Sequence, residues 1–191
     1  MADRLQNLDA QFMRLAIGEA RLAFAKGEIP IGAVAVYEGE VIGRGHNCKE
    51  TGRDPTAHAE ILALREAAHA RGGWRLVGVT LYCTMEPCPM CAGAMVQARL
   101  PCLVYAVDDP KTGAAGSVIE LLEHPRLNHH VRVERGVLAA EVEALLADFF
   151  RGLREGSIPR YSDAWKQRNA CEGNLPEKGN RCRIAPGGEV A

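Results

Sequence analysis

Residues 79–107, VTLYCTMEPCPMCAGAMVQARLPCLVYAV, alternate between apolar β-rich runs and a segment with helical character. Proline is favoured in the first turn of a helix, so the helix is predicted to start near the Cys-Pro pair. The four predicted elements are a strand, a loop, a helix and a second strand, at Val79–Thr84, Met85–Pro87, Cys88 to about Arg99 and Cys102–Val107. Strands that alternate with helices are typical of an α/β fold.

The sequence on both sides extends this pattern. Asp9 is predicted to cap a first helix that ends at Gly27. Two short strands flank the tight turn Glu38-Gly39, and Thr56 is predicted to cap a second helix. The remaining predicted strands are Gly32–Tyr37, Glu40–Gly45 and Val131–Glu134, and the remaining predicted helices are Ala57–Arg71 and Leu138–Arg154. We therefore expect three layers, α/β/α, with a mixed sheet of about five strands flanked by helices.

Length and composition indicate one globular domain and an extension. The chain has 191 residues, of which 47% are hydrophobic, and this suffices for a core. Residues 1–160 are predicted to form the domain, and residues 161–191, which are polar and rich in Gly and Pro, a flexible extension. The sequence has no apolar run of about 18 residues or more and no signal segment, so we expect a cytoplasmic protein without membrane association.

The charge is nearly balanced. A formal net charge of −1 does not favour nucleic-acid binding by the molecule as a whole. The segment Arg151–Arg183, however, holds eight basic and four acidic residues, a local balance of +4. Binding to a nucleic acid would need a local patch of this kind.

Four residues carry the chemically distinctive pattern: His58, Glu60, Cys88 and Cys91. The two cysteines are three residues apart at a predicted helix start, so both sulfur atoms can reach one ion, and the helix N-terminus favours thiolates. His58 adds a nitrogen, which completes the three protein ligands of a catalytic zinc. Glu60 points away from that ion and is predicted to move the proton of a zinc-activated water.

Each half of this pattern is ambiguous by itself. A Cys-x-x-Cys pair also fits redox chemistry, and His-x-Glu also fits an ordinary capped helix. Together, with proline before the first cysteine, they form the signature of zinc nucleobase deaminases. A closed structural zinc site would need a fourth ligand. Cys48 and Cys83 are the candidates, but Cys83 lies in a predicted strand and is expected to be part of the core.

Longer runs narrow this interpretation. They are DPTAHAEI (54–61), LYCTMEPCPMCAGA (81–94), DPKTGAAGS (109–117), NHHV (128–131) and LLADFFR (145–151). Between about Phe12 and Arg154 the chain resembles the bacterial tRNA-specific adenosine deaminases of the cytidine/deoxycytidylate deaminase superfamily. The resemblance implies a cytidine-deaminase-like fold and a homodimer with one Zn²⁺ per subunit. It also implies conversion of adenosine to inosine at the wobble position of an arginine tRNA anticodon, with zinc-activated hydroxide attacking C6 and Glu60 as proton shuttle.

The same resemblance implies a set of residues that contact the RNA substrate: Asn47, Asp109, Lys111, Phe149, Phe150 and Arg154. Simpler interpretations stay open for most of them. Asn47 also fits a turn residue, and Asp109 and Lys111 also fit solvated turn charges. Adjacent helical residues cannot share one face, so one of the two phenylalanines is expected to lie in the core.

Two other functions remain possible on sequence alone. One is a free nucleobase deaminase acting on guanine or cytosine, because the zinc motifs fit that chemistry equally well. The other is an inactive RNA-binding module with structural zinc, against which the presence of Glu60 argues.

One residue departs from the family pattern. His130 stands where the family more often has Arg, and this weakens the argument for RNA contacts.

Overall fold

A computed structural model describes residues 2–158, with side chains from Asn7 onward. The predicted flexible extension over 161–191 lies outside the described residues. The helices and strands are α1 Ala2–Ala25, β1 Gly32–Tyr37, β2 Glu40–His46, α2 Lys49–Gly52, α3 Ala59–Ala70, β3 Val79–Met85, α4 Pro89–Gln97, β4 Cys102–Val107, β5 Arg132–Arg135 and α5 Ala139–Glu155. None of the described helices combines the length and the apolar character that crossing a membrane requires.

The five strands form one mixed sheet in the order β2-β1-β3-β4-β5. β1 pairs antiparallel with both β2 and β3, whereas β3, β4 and β5 run parallel. Side chains on the two faces of the sheet belong to two separate apolar clusters. One cluster contains buried residues of α3 and α4, and the other contains buried residues of α1 and α5. This arrangement confirms the predicted three-layer α/β/α fold.

The N-terminus of the first helix differs from the prediction. α1 begins at Ala2, seven residues before Asp9, so Asp9 lies inside the helix and does not cap it. Its carboxylate instead accepts a hydrogen bond of 2.7 Å from the hydroxyl of Tyr82 in β3. A tertiary partner thus takes the side chain whose local preference would be a helix cap.

The predicted start of the second long helix was also wrong. Thr56 does not cap it, because its hydroxyl donates to the carboxylate of Asp54 at 2.6 Å in a local turn. The helix α3 begins at Ala59, with His58 in the N-cap position. The segment between β2 and this helix contains the short helix α2. The histidine is therefore placed at the helix end itself.

Two glycines of β2 allow α3 to lie directly on the sheet. A Cβ atom on Gly45 would come within 2.1 Å of the Ala59 carbonyl oxygen, and one on Gly43 within 2.3 Å of the Ala63 carbonyl oxygen. No side chain fits at such distances, so only glycine permits the main chains to approach this closely. The contact fixes the N-terminal turn of α3, which carries His58 and Glu60.

Candidate metal and substrate site

A cavity of about 460 Å³ opens at one edge of the sheet. The carboxyl ends of β3 and β4 reach this edge side by side, with Met85 opposite Val107. Because β1 and β2 alternate in direction, the start of β1 and the end of β2 reach the same edge, with Gly32 opposite His46. Crevices beyond the carboxyl ends of parallel strands are the usual ligand sites of α/β sheets.

The cavity is lined by loop residues, by the starts of two helices and by α5. Its lining consists of Ile29, Ile31, Asn47, Lys49, His58, Glu60, Met85, Glu86, Cys88, Asp109, Pro110, Lys111, Thr112, Leu146 and Phe150. It therefore combines an apolar wall with several polar side chains that converge on one volume, which is typical of a small-molecule or nucleobase pocket.

His58, Cys88 and Cys91 are the group that could hold a metal ion among the residues whose side chains are described. The Nδ1 atom of His58 lies 3.7 Å from Sγ of Cys88 and 3.6 Å from Sγ of Cys91, and the two sulfur atoms are 3.7 Å apart. Tetrahedral zinc with ordinary Zn–N and Zn–S bonds would hold such atoms about 3.6 to 3.8 Å apart. The donor set and its spacing therefore fit zinc.

Helix ends bring these three side chains together. His58 and Cys88 occupy the N-cap positions of α3 and α4, with extended backbone, and neither side chain makes a capping hydrogen bond. Both are thus free to point toward each other. Pro89 follows in the first turn of α4, and Cys91 lies three residues after Cys88 on the same helix face. Two helix N-termini direct their positive ends at this group.

Electrostatics separates the roles of the two thiols. The hydrogen bond between the Cys88 and Cys91 sulfur atoms, with the neighbouring His58, lowers the pKa of Cys88 to about 4. The same bond and burial raise the pKa of Cys91. The hydrogen bond to Cys88 also raises the pKa of His58. The surroundings of Cys88 thus favour the thiolate, which is the form of cysteine that binds metals.

Glu60 lies in the first turn of α3 and is only 4% exposed. Its carboxylate lines the cavity but does not belong to the three-residue group. Burial raises the pKa of Glu60 above its ordinary value. A carboxyl group in this situation is suited to both taking up and releasing a proton near neutral pH.

The structure separates the six predicted substrate contacts into three kinds. Asn47, Asp109, Lys111 and Phe150 line the cavity. Phe149 is 1% exposed and packs edge-on against Phe24, so it belongs to the core, whereas Phe150 is 43% exposed. Arg154 is exposed in the last turn of α5 and is not part of the cavity lining.

Asp109 also organises its own loop. Its carboxylate accepts hydrogen bonds from the Lys111 amide at 2.9 Å and from the Thr112 hydroxyl at 2.5 Å. Burial would raise the pKa of Asp109, but these hydrogen bonds outweigh that effect and lower it. The charge of Asp109 thus supports a fixed turn that presents Lys111 at the cavity.

Sequence reasoning missed two buried carboxylates, Glu28 and Glu86. The carboxylate of Glu86 accepts hydrogen bonds from the backbone amides of Asp109 (2.8 Å), Ala115 (2.9 Å) and Ser117 (3.1 Å). A Cβ atom on Gly113 would meet the same carboxylate at 2.1 Å, so this loop wraps closely around it. The position of Glu86 between an apolar strand and the Pro-Cys pair could have indicated a buried carboxylate. Nothing in the sequence, however, identified the backbone amides that it binds.

Replacing Glu86 by Gln should loosen the loop that follows β4. Glutamine offers one acceptor oxygen, so its NH₂ group would face a backbone amide and leave that buried donor unpaired. We expect the free energy of unfolding to fall by about 1 to 3 kcal/mol, measured by urea denaturation. Glu120→Gln is the matched control, because that exposed carboxylate accepts the Glu123 amide and its change should stay within about 0.5 kcal/mol. Equal stability of the two variants would contradict this role of Glu86.

The known proteins that this chain resembles are deaminases. A family model described as MafB19-like deaminase matches residues 7–154. The tRNA-specific adenosine deaminase of Bacillus subtilis (strain 168) is 47% identical over 169 residues, which cover 88% of this chain and 98% of that protein. The tRNA-specific adenosine deaminase of Aquifex aeolicus (strain VF5) is 44% identical over 147 residues, which cover 77% of this chain and 97% of that protein.

A solved structure gives the same result in three dimensions. It was described in a study of A-to-I editing by tRNA:A34 deaminases at the wobble position of transfer RNA. It superposes with a TM-score of 0.69 at 44% sequence identity, covering 71% of this chain and 99% of that chain. The cavity, the group of His58, Cys88 and Cys91, and the sheet order therefore lie within a fold shared with a characterised relative.

Proposed function

Since the chain belongs to the tRNA-specific adenosine deaminases, within the MafB19-like deaminase family, we propose that it hydrolyses adenosine to inosine at the wobble position of a tRNA anticodon, with an arginine tRNA as substrate. One observation supports this most directly. His58, Cys88 and Cys91 lie together beside a cavity of about 460 Å³, which His58, Cys88 and the buried Glu60 line.

The proposed chemistry assigns separate tasks to these residues. His58, Cys88 and Cys91 hold Zn²⁺, and bound zinc supplies the Lewis acidity that makes water nucleophilic near neutral pH. Glu60 takes a proton from the water that adds to C6 and delivers it to N1. It then takes the proton of the new C6 hydroxyl and delivers it to the departing amino group, which leaves a carbonyl at C6. Adenosine and water thereby become inosine and ammonia. The raised pKa of Glu60 brings its acid and base forms closer in energy at neutral pH.

Substrate binding is assigned to the rim and wall of the cavity. Asn47 and Phe150 contact the extruded nucleotide, and Lys111, with Asp109 supporting its turn, lies against the RNA backbone. Arg154 extends this basic surface along α5, and the buried Phe149 holds Phe150 in place. An anticodon loop suits such a site, because its bases are already unpaired and cost less to extrude.

The full proposal is a cytoplasmic homodimer with one zinc ion per subunit. Large exposed apolar side chains support a subunit interface, since a second copy of the chain would remove them from water. Trp74 and Val77 before β3 are 56% and 62% exposed, and Val118 and Ile119 after β4 are also exposed. Sedimentation equilibrium should give twice the mass of the chain, and a monomer mass would contradict this part.

Direct assay of the purified protein tests the function. An arginine tRNA with an ACG anticodon is incubated with it and sequenced for inosine at the wobble site. The same tRNA with G at that position is the control. Guanine, cytosine and free adenosine are assayed in parallel for ammonia release. Inosine in the tRNA supports the proposal, and ammonia from a free base alone would favour a nucleobase deaminase. Zinc binding and RNA binding without either product would favour the inactive module.

A further inference from the structure

A second buried carboxylate lies behind the cavity wall, at Glu28. It is 1% exposed and comes directly before Ile29, which lines the cavity. Its Oε1 atom accepts hydrogen bonds from the Thr51 amide at 2.6 Å and from the Thr51 hydroxyl at 2.9 Å. Its Oε2 atom accepts a hydrogen bond of 3.3 Å from the side-chain nitrogen of Asn47. Both oxygens are therefore engaged.

This arrangement determines the orientation of the Asn47 amide. Asn47 is buried and lines the cavity, and its backbone amide donates to the Ile31 carbonyl at 3.0 Å. Its backbone is thus fixed, and only the side-chain torsion is free. Turning the amide over would bring Oδ1 against Oε2 of Glu28, two acceptors without a proton between them. A carboxylate, which only accepts, therefore selects one of the two amide orientations.

We propose that Glu28 is a positioning residue that fixes the amide of Asn47 and so determines the hydrogen-bonding groups that the cavity offers to the substrate base. The inference rests on the proposed function of the cavity, although Glu28 itself touches no substrate. An amide that can turn over presents its donor and acceptor in either order, and a buried polar group that meets the wrong partner weakens binding strongly.

Glutamine at position 28 reverses this selection while it keeps the size of the side chain. Its single oxygen is expected to stay with the two donors of Thr51, which turns its NH₂ group toward Asn47. The Asn47 amide then reverses, so that Oδ1 accepts from the new NH₂ group and the donor and acceptor facing the cavity change places. Glu28→Gln should lower kcat/KM at least about tenfold, the size expected for a mispaired polar contact, with zinc content unchanged.

A double-mutant cycle with Asn47→Ala separates positioning from a general structural effect. If Glu28 acts through Asn47, Glu28→Gln changes kcat/KM less than about twofold when Asn47 is already alanine. If the double variant instead loses kcat/KM by the product of the two single losses, the inference is overturned. Thr51→Val is the matched control, because it removes one hydrogen bond to the same carboxylate and leaves Asn47 untouched; kcat/KM should stay near wild type.

A second readout does not depend on which substrate is used. The side-chain NH₂ resonances of Asn47 in a ¹⁵N-labelled sample should shift in Glu28→Gln and stay in place in Thr51→Val, and unchanged resonances in both variants would overturn the inference. The kinetic cycle uses whichever substrate the wild-type enzyme deaminates. Absence of inosine in tRNA with wild type would count against the proposed function alone, whereas independent effects of the two substitutions would count against the positioning role alone.

Discussion

Glu60→Gln should lower the single-turnover rate on an arginine tRNA by about a thousandfold or more. General acid–base catalysis contributes about 10² to 10⁴ in rate, and Glu60 is assigned both the uptake and the delivery of protons. Glutamine has the same shape but cannot exchange a proton. Zinc content, measured by elemental analysis, should match wild type because Glu60 is not in the group of His58, Cys88 and Cys91.

Stability distinguishes this loss from damage to the fold. Burial raises the pKa of Glu60 in the folded chain. At any pH above the pKa of this group in the unfolded chain, its negative charge therefore lowers the free energy of unfolding. Removing the charge should leave the unfolding midpoint at pH 7 unchanged or higher. Glu66→Gln on the exposed face of α3 is the control and should retain activity. A rate within tenfold of wild type in Glu60→Gln would refute the shuttle assignment.

Cys88→Ala should remove the metal and reduce activity below detection. Cys88 carries the thiolate of the group, with a pKa of about 4, and two ligands cannot hold a catalytic zinc ion tightly. Elemental analysis should fall from about one zinc per chain to nearly none. Because a ligand that binds only the folded state adds to its stability, thermal unfolding should also lose its dependence on added zinc.

Cys83→Ala is the matched control for this substitution. Cys83 is fully buried in β3, five residues earlier, and does not belong to the metal group. Its replacement removes a thiol from the core and should cost some stability, but zinc content should remain at wild-type level. Retention of zinc in Cys88→Ala, or its loss in Cys83→Ala, would show that the ligands are assigned incorrectly.

The strands were predictable because each is a short apolar run between turn residues. Gly32–Tyr37 and Cys102–Val107 were predicted to the residue, and the other three strands within one residue at either end. The proximity of Cys88 and Cys91 followed from their spacing on one helix, whereas the approach of His58 to them was predicted from the combined signature of the two segments. Local pattern was sufficient wherever a residue's role depended on its own element.

Apart from Thr56, whose partner is local, prediction failed where a distant partner decides the role of a side chain. Asp9 was expected to cap a helix, but Tyr82, distant in sequence, takes its carboxylate. Glu28 and Glu86 were overlooked because their partners lie in loops about twenty to thirty residues away. Helix geometry predicted that one of Phe149 and Phe150 is buried, but only the position of Phe24 shows that it is Phe149.

The contact of α3 with the glycines of β2 also sets the timescale on which the site can change shape. Main chain rests on main chain there, so the first turns of α3 cannot open without separating the helix from the sheet. The amide protons of α3 from Leu62 onward, which are hydrogen-bonded within the helix, should therefore exchange with solvent only when the helix separates from the sheet. The loop that follows β4 depends on the single carboxylate of Glu86 for three of its backbone amides, so it should open locally at a lower free-energy cost. Motions that admit a bulky RNA would then occur in this loop, while the start of α3 keeps its geometry for the lifetime of the folded state.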